Sequence, residues 1–498
     1  MRKRFLYSLV CRRSKRKEPH MADDSSPKAR AIAALTELFL EKTEACSDFS
    51  VLESICMDAG HECMSVSLGR ALEARDEELM RSRPEGYVAH DKRTRTLATE
   101  MGDVSFVQRR YRDRFGLDAY LLSDRYGIPY GARVSPGAAE FLVLAASQAS
   151  YAKAADLLAR HGSRVSERTV MAALRRAGDA CEREDVAAAK SLYGDGVVPE
   201  AESRLNEICM EADGTWFSVQ RPKPGEPRRF EVKAMCAYGG KEVRGGKVRR
   251  TRVFHHACVG APDEFWSEGV AQMGAVFDLG GIETVHLGAD GEPWCSDAGR
   301  YLPGARVAVQ LDPYHVNRAI LSCSRTPGLA RRLIGVASDG DAASAAALLG
   351  AAASLGLANE GAAKRVAGYL LNNSELIGAE GPSLGTIESD NQHIYGARMD
   401  SVPCAWSVRG GSDMARILSR RASGREIPRV SRLESMPHRK RDARNGKVLA
   451  KLERGGAGRV VESVGEGYLP PHQVDTSRIE AGKAYALYRA MSNMDAGI

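Results

Sequence analysis

The sequence predicts an α/β protein in which one mixed β-sheet is surrounded by helices. Three observations lead to this fold class. Residues 205–314 alternate between short apolar extended runs and amphipathic helical runs, residues 316–380 are helical and rich in alanine, and residues 136–180 are helical with a central glycine. We therefore expect an α/β domain that contains an all-α insertion and follows a mainly α-helical region.

The region before the sheet begins with helices. From Pro27 to about residue 74, apolar residues such as Ile32 and Leu35 recur three to four positions apart, which is the helical period. A β-hairpin is predicted next, with arms Thr94–Thr99 and Val104–Tyr111 joined by a Met-Gly-Asp turn.

A helix-turn-helix pattern follows. Ser150 is placed to cap one helix, Gly162 interrupts it, and Ser166 opens a second, basic helix. This order is typical of DNA-binding helix-turn-helix motifs, although an ordinary helical hairpin fits the spacing about equally well. If the motif binds DNA, its candidate contacts are the four arginines on or beside the second helix: Arg164, Arg168, Arg175 and Arg176.

Five strands are predicted between residues 205 and 314, with an amphipathic helix at Asp263–Phe277 and a short one around Ser296–Tyr301. The strands are Asn206–Ala212, Phe230–Tyr238, Thr251–Val259, Thr284–Ala289 and Ala305–Leu311. Three meandering strands followed by helix, strand, helix and strand is the order of a ribonuclease-H-like domain. Such a mixed sheet sets its first and fourth strands side by side.

Three carboxylates are the candidate chemical groups. Asp213 and Asp290 each end a predicted strand and precede glycine, and Glu388 opens a predicted helix. A single Asp-Gly is most often a turn, so the prediction depends on all three converging. Two strand-end aspartates and a helical glutamate suit a two-metal phosphoryl-transfer site, because hard divalent cations prefer oxygen ligands. Asp390 is a rival third ligand, but it points about 200° away around the helix.

Composition and charge limit the class of protein. The chain has 498 residues, 27% of them charged, and a net charge of +7 that is concentrated in basic runs near both ends. Such runs fit a polyanionic partner, although solvated tails explain any single run as well. The eleven cysteines form no CxxC pair, and we find neither a signal peptide nor a membrane-length apolar stretch. A cytoplasmic, nucleoid-associated protein with no membrane partner is expected.

The chain resembles bacterial insertion-sequence transposases of the DDE superfamily, most closely the ISLre-type family. The resemblance covers roughly residues 95–420, and it includes the helix-turn-helix runs SYAKAA and VSERTV. The other matching stretches, in chain order, are EADG at 211–214, LGADGEPW at 287–294, LDPYH at 311–315, LNN at 371–373, GTIES at 385–389 and AWS at 405–407.

The resemblance implies a catalytic triad of Asp213, Asp290 and Glu388 that holds two Mg²⁺ (or Mn²⁺) ions. Asp213 would bridge both ions, and the other two carboxylates would each complete one coordination shell. Asp312 and His315 match an Asp-x-x-His signature of such transposases and are supporting candidates, although a helix-capping Asp312 explains the same residues. His393, Arg409 and Arg416 are further candidates for supporting or DNA contacts.

The function implied is metal-dependent cleavage and strand transfer of an insertion-sequence element. The partners would be the terminal inverted repeats and target DNA, bound by a homo-oligomer. Two alternatives remain open: a catalytically silent, transposase-derived repressor, and a structure-selective ribonuclease-H-like nuclease.

The expected segments are a basic disordered tail (1–26), a helical region (27–92), the hairpin with helix-turn-helix (93–200), two parts of the catalytic domain (201–315 and 381–425), the all-α insertion (316–380) and a basic C-terminal tail (426–498).

Overall fold

The architecture comes from a computed structural model, which describes residues 26–428 except 114, 130, 379–380 and 401–403. The predicted tails, residues 1–26 and 426–498, lie almost wholly outside the described residues. The chain divides into two compact units. Of the described residues, unit 1 comprises 26–113 together with 119–122 and 160–163, and unit 2 comprises the others.

Unit 1 contains two helices and a long hairpin. Ser26 and Asp48 begin the helices, since their side chains accept hydrogen bonds from first-turn backbone N–H groups. The predicted hairpin is confirmed, and both arms are longer than expected. The predicted boundary at residues 92 and 93 falls inside its first arm. The elements are α1 (Pro27–Thr43), α2 (Phe49–Arg81), β1 (Val88–Thr99) and β2 (Gly102–Arg112), and β3 (Asp118–Ala119) adds a third strand to the sheet.

Four helices precede the central sheet: α3 (Leu121–Arg125), α4 (Pro136–Ala146), α5 (Tyr151–Ala159) and α6 (Glu167–Ala189). Gly162 has a φ of 83°, a conformation that favours glycine, and Ser166 accepts a hydrogen bond from the Thr169 N–H to begin α6. The predicted helix, glycine turn and capped helix are therefore present as backbone elements. Helix α6 buries one apolar face in the core of unit 2 and ends in a π-helical turn, Lys190–Gly194.

The central sheet of unit 2 has five strands in the order β10-β9-β4-β5-β8. Strands β4, β5 and β8 are antiparallel neighbours, whereas β9 and β10 run parallel to β4. All five predicted strands are present, and β6 and β7 form an additional hairpin. The elements are β4 (Glu207–Ser218), β5 (Arg229–Tyr238), β6 (Gly240–Arg244), β7 (Lys247–Thr251), β8 (Phe254–Cys258), α7 (Pro262–Met273), β9 (Thr284–Ala289), a 3₁₀-helix (Pro293–Tyr301) and β10 (Arg306–Leu311).

The two faces of the sheet pack into different cores. Alternate β4 residues such as Met210 and Ala212 pack with α7, whose Phe265 and Trp266 are fully buried. The opposite face contributes Cys209 and its alternating neighbours to a second core with α4, α5 and α6. Glu211 and Asp213 share that second face, because side chains alternate along a strand.

A helical insertion follows β10. It has its own apolar core, and every one of its helices is capped by an Asp, Thr or Asn side chain. The residues predicted as an all-α insertion are thus mainly helical, and the first helix begins at residue 313 rather than 316. Its helices are α8 (Pro313–Cys323), α9 (Pro327–Ser338), α10 (Ala342–Ser354) and α11 (Glu360–Asn372).

The chain then returns to the sheet. The predicted helix at Glu388 exists as one turn, α12 (Ile387–Asp390), which continues into a π-helical segment (Asn391–Gly396) and α13 (Ala397–Met399). The last described helix, α14 (Val408–Ala422), is buried along most of its length. Among the described helices, none combines the length and the apolar content needed to cross a bilayer.

Candidate active site

The register of the parallel strands brings acidic residues to one edge of the sheet. Glu211 on β4 lies opposite Gly288 on β9, so two residues further along, Asp213 is level with Asp290. Leu311 on β10 lies opposite Ala289, which sets the next residue, Asp312, level with Asp290 as well. Asp213 is not a strand-end residue as predicted, because β4 continues to Ser218 in its pairing with β5. Only its pairing with β9 ends before Asp213.

Helix α12 brings Glu388 to the same edge. Ligand atoms of Asp213, His315 and Glu388 all lie within 4.8 Å of one another. The carboxylates of Asp290 and Glu388 both act electrostatically on Asp213. Asp213, His315 and Glu388 therefore converge on one point with Asp290 near them, although the helical insertion separates Glu388 from the two aspartates in sequence.

The charge of these carboxylates is not balanced by a Lys or Arg of the described residues. Within the described residues, no Lys or Arg side chain forms an ion pair with Asp213, Asp290 or Glu388. Burial, and then the neighbouring Asp290 and Glu388, raise the pKa of the Asp213 carboxyl to about 7. Two hydrogen bonds partly oppose this shift: Asn391 Nδ2 donates to Asp213 Oδ2 (2.7 Å), and the Gly214 N–H donates to Oδ1 (2.8 Å).

Asp290 is held in a tight turn at the end of β9. Its Oδ1 accepts a hydrogen bond from the Glu292 N–H (2.8 Å), and its carbonyl accepts one from the Tyr369 hydroxyl (3.2 Å). Gly291 follows with a φ of 97°, and a Cβ there would lie 3.1 Å from Asn373 Oδ1. Contacts from the end of α11 thus fix the turn, so the insertion helps to position Asp290.

Asp312 and His315 have separate roles. Asp312 Oδ1 accepts a hydrogen bond from the Tyr314 N–H (2.8 Å) and so caps α8, which is the capping alternative considered from the sequence. Burial raises the pKa of its carboxyl. His315, one helical turn in, lies among the carboxylates instead.

Glu211 was missed from the sequence. Its Oε2 accepts hydrogen bonds from the backbone N–H groups of Gly385 (2.9 Å), Thr386 (2.5 Å) and Ile387 (3.0 Å). Its Oε1 accepts hydrogen bonds from the hydroxyls of Tyr238 and Thr386, each at 2.7 Å.

Helix α12 has no side-chain cap of its own, so this buried carboxylate serves as its cap from another strand. Glu211 thereby fixes α12, and with it Glu388, to the strand that carries Asp213. The only signal in the sequence was the spacing Glu-Ala-Asp, which puts Glu211 and Asp213 on the same face of a strand.

Asp390 is not available as a third ligand. Both of its oxygens accept hydrogen bonds from the Arg250 guanidinium (2.5 and 2.6 Å), and His255 Nε2 lies 3.2 Å away. Burial opposes ionisation, but hydrogen bonds from His255 and Arg250 hold the pKa of Asp390 below its ordinary value. Of the two acids on α12, Glu388 is therefore the one that faces the strand-edge aspartates.

The remaining predicted residues differ in placement. Arg164, Arg168 and Arg175 are exposed at or near the start of α6, and Arg176 is half-buried. His393 is exposed and is not among the converging ligand atoms.

The prediction that Arg409 and Arg416 contact DNA needs correction, because both form internal ion pairs from α14. Arg409 pairs with Asp179 and Glu182 on α6 and with Asp413, and Arg416 is buried between Asp185 (2.5 Å) and Glu268 (2.7 Å). The charges that looked available for phosphates in the sequence are used to join α14 to its neighbours.

The converging residues fit a divalent cation. Carboxylate oxygens and one imidazole nitrogen are a suitable donor set for Mg²⁺ or Mn²⁺. Three buried polar atoms of these residues and their neighbours have no hydrogen-bond partner among the described residues: Asp312 Oδ2, His315 Nε2 and Asn391 Oδ1. A cation would neutralise the carboxylates, and its hydration shell would give such atoms partners.

A second group of potential ligands, His256, Cys258 and Glu268, is a weaker candidate. Arg416 already lies 2.7 Å from Glu268 and supplies the positive charge that a metal would bring. Burial also lowers the pKa of His256 to about 3, so this imidazole is neutral inside the core.

Comparison with known proteins gives a family without an assigned activity. No curated protein matches the chain. The model of an uncharacterised protein family, UPF0236, matches residues 43–435, which is well over half of the chain and includes every residue of the site. The chain belongs to this uncharacterised family, UPF0236.

Proposed function

We propose that this protein is a DDE transposase that cleaves and joins DNA strands at the ends of an insertion-sequence element. One observation carries the proposal: Asp213, His315 and Glu388 converge within 4.8 Å, beside Asp290, with no Lys or Arg among the described residues to balance the carboxylates. A group of unbalanced carboxylates around a buried aspartate costs stability, and such perturbed groups are typical of functional sites.

The sheet supports a ribonuclease-H-like assignment. If the five strands are numbered 1 to 5 along the chain, their order across the sheet is 5-4-1-2-3. Strands 1, 2 and 3 are antiparallel neighbours, and strands 4 and 5 run parallel to strand 1. In this arrangement the first and fourth strands are neighbours; Asp213 lies on the first, and Asp290 directly follows the fourth. The helical insertion between the fifth strand and the Glu388 helix agrees with the transposase resemblance.

We propose that Asp213, Asp290 and Glu388 hold two Mg²⁺ or Mn²⁺ ions, with His315 beside them. Bound ions of this kind neutralise charge on the reacting phosphate and make a water or hydroxyl nucleophilic. The protein's own contribution is rigidity. Asn391 orients the Asp213 carboxylate, and Glu211 holds the helix that carries Glu388.

The proposed reaction has two steps. In the first, water attacks the phosphorus of one strand at the element end, the bond to the 3′ oxygen breaks, and that oxygen takes up a proton. In the second, the freed 3′-hydroxyl attacks a phosphodiester of target DNA, loses its proton and displaces another 3′ oxygen. Joining two ends requires both to be held together, so we propose a homo-oligomer on DNA in the nucleoid.

The segment around α5 and α6 is the proposed helix-turn-helix. Three exposed arginines near the start of α6, Arg164, Arg168 and Arg175, support a DNA-binding role. The other half of α6 is acidic and pairs with α14, so we expect only the first half to approach DNA.

The test is a cleavage and strand-transfer assay on a labelled duplex from the element end with Mg²⁺. The parent protein should cut one strand and join it to target DNA. Asp213→Asn and Glu388→Gln should each lower both rates on the order of 10³-fold or more, which is about 4 kcal/mol of barrier. Glu283→Gln, at an exposed site before β9, is the matched control and should leave both rates unchanged.

Other outcomes would point to other functions. Cleavage without joining would indicate a nuclease. Binding without cleavage, unchanged in Asp290→Ala, would indicate a repressor. Strand transfer by Asp213→Asn at the parent rate would overturn the site assignment.

A further inference from the structure

The hairpin formed by β6 and β7, residues 240–251, projects from the end of β5 as a basic ribbon. Its turn consists of Gly245 and Gly246, with φ of 59° and 73°, which is the pattern of a tight type I′ connection. Five residue pairs form the antiparallel ladder, from Gly240 opposite Thr251 to Arg244 opposite Lys247. At about 3.4 Å per residue, the ribbon is about 17 Å long.

The base of this basic ribbon is anchored to the segment that carries Glu388. Arg250 donates hydrogen bonds to both oxygens of Asp390 and to Thr386 Oγ1 (3.1 Å). Lys241 Nζ donates to the Ser383 carbonyl (2.6 Å). Lys241 and Arg250, which are cross-strand partners, both lie over the Tyr238 ring. The position of the ribbon is therefore coupled to that of helix α12.

The outer part of the basic ribbon is solvent-exposed and cationic. The side chains of Arg244, Lys247 and Arg249 are exposed and make no hydrogen bond or ion pair with the part of the chain that the structure describes. Val243 and Val248 are cross-strand partners on the opposite face, 75% and 66% exposed. One face of the tip thus has a net positive charge, because Glu242, opposite Arg249, is its one acid against three cations, and the other face presents a small apolar pair.

We propose that the basic ribbon is an arm that seats in a groove of duplex DNA next to the catalytic carboxylates, a role that rests on the proposed function. The major groove of B-DNA, about 12 Å wide, admits a two-stranded ribbon. Arg244, Lys247 and Arg249 contact phosphates, and the two valines contact apolar base or sugar edges inside the groove. Because Arg250 ties the ribbon to α12, DNA bound by the tip is held beside Glu388.

Other partners fit the ribbon less well. The major groove of A-form RNA is too narrow and deep to admit it. Two valines provide far less contact area than the roughly 800 Å² per partner of a stable protein interface, and aromatic anchors are lacking at this tip. The tip has cations on one face and a small apolar pair on the other. This combination fits duplex DNA, which offers regularly spaced phosphates and an accessible groove.

The test measures binding of a fluorescein-labelled element-end duplex to the full chain, in EDTA so that cleavage does not interfere, over a range of salt concentrations. The double variant Arg244→Ala/Lys247→Ala should bind roughly tenfold or more weakly at physiological salt, with the slope of log affinity against log salt reduced by about 2. Val243→Ser/Val248→Ser should lower affinity without changing this slope.

The matched control is Lys364→Ala/Arg365→Ala, which removes two exposed charges from α11 and should change neither value. The melting temperature of each variant should equal that of the parent, because these side chains are exposed.

Two results would overturn the role of the basic ribbon. One is parent-like affinity and salt slope in Arg244→Ala/Lys247→Ala. The other is an equal loss in the α11 control, since that would indicate a general effect of net charge.

Cleavage of the same duplex by the parent with Mg²⁺ is measured alongside. If cleavage persists while the ribbon variants bind normally, the ribbon inference fails and the proposed function stands. If the parent neither binds nor cleaves, both fail.

Discussion

Two groups of carboxylates in unit 2, one buried and one partly buried, differ in what balances their charge. On α6 and α7, Asp185 and Glu268 contact the Arg416 guanidinium, and Arg420 adds a second base at 2.8 Å from Asp185. At the sheet edge, Asp213, Asp290 and Glu388 face one another, and no base of the described residues pairs with any of them.

The pKa shifts of Asp185 and Asp213 follow this difference, whereas burial raises the pKa of Glu268 in spite of Arg416. Burial opposes ionisation of both aspartates. For Asp185 the charges of Arg416 and Arg420 outweigh burial, and its pKa lies below the ordinary value. For Asp213 the neighbours are acids, and its pKa rises to about 7. The acids paired with arginines join helices, and we propose that a cation completes the acids at the sheet edge.

The largest effect on stability is expected from breaking the ion pairs between α14 and its buried acidic partners. Arg416→Ala should lower the free energy of unfolding by about 3–5 kcal/mol, because it leaves Glu268 buried without an arginine partner and Asp185 with Arg420 alone. Arg183→Ala, at an exposed position on α6, is the matched control and should change it by less than about 0.5 kcal/mol. Urea unfolding of both variants measures the difference. Similar stabilities would contradict the idea that this group joins the helices.

A smaller effect with the opposite sign is expected at the sheet edge. In the unfolded chain Asp213 has an ordinary pKa near 3.8, and in the folded protein it is raised to about 7. Well below pH 3.8 the carboxyl is protonated in both states and has no effect. As pH rises towards 7, the unfolded chain loses this proton first, so the cation-free protein becomes less stable, by up to about 4 kcal/mol.

Asp213→Asn removes this pH-dependent loss of stability. In EDTA, its free energy of unfolding should exceed that of the parent by an amount that grows from pH 4 to pH 7 and then stays constant. Unfolding curves at a series of pH values measure that difference. A difference that does not vary with pH would show that Asp213 ionises normally.

Much of the framework followed from local sequence patterns. The bounds of β9 were predicted correctly, and the insertion was recognised from its alanine-rich helical period. Asp290 could be placed at a strand end because an apolar run stops there. The course of β4 was harder, because Asp213-Gly214 reads as a turn, whereas pairing with β5 carries the strand on to Ser218.

Features that depend on distant partners were not predictable. Arg416 looked like a phosphate-binding residue because its partners, Asp185 and Glu268, are far away in sequence. The cap that Glu211 provides for α12 spans the insertion, and no local pattern marks it. Sequence patterns identify charged residues, but only the tertiary structure determines whether each charge is balanced internally.

The central claim is that the unbalanced carboxylates form a divalent-cation site. Titration calorimetry with Mn²⁺, on the full chain near pH 8, tests it most directly. The parent should bind the ion and release protons, whereas the double variant Asp213→Asn/Glu388→Gln should show no saturable heat. Glu283→Gln should behave like the parent. Equal Mn²⁺ binding by the parent and the double variant would contradict the claim.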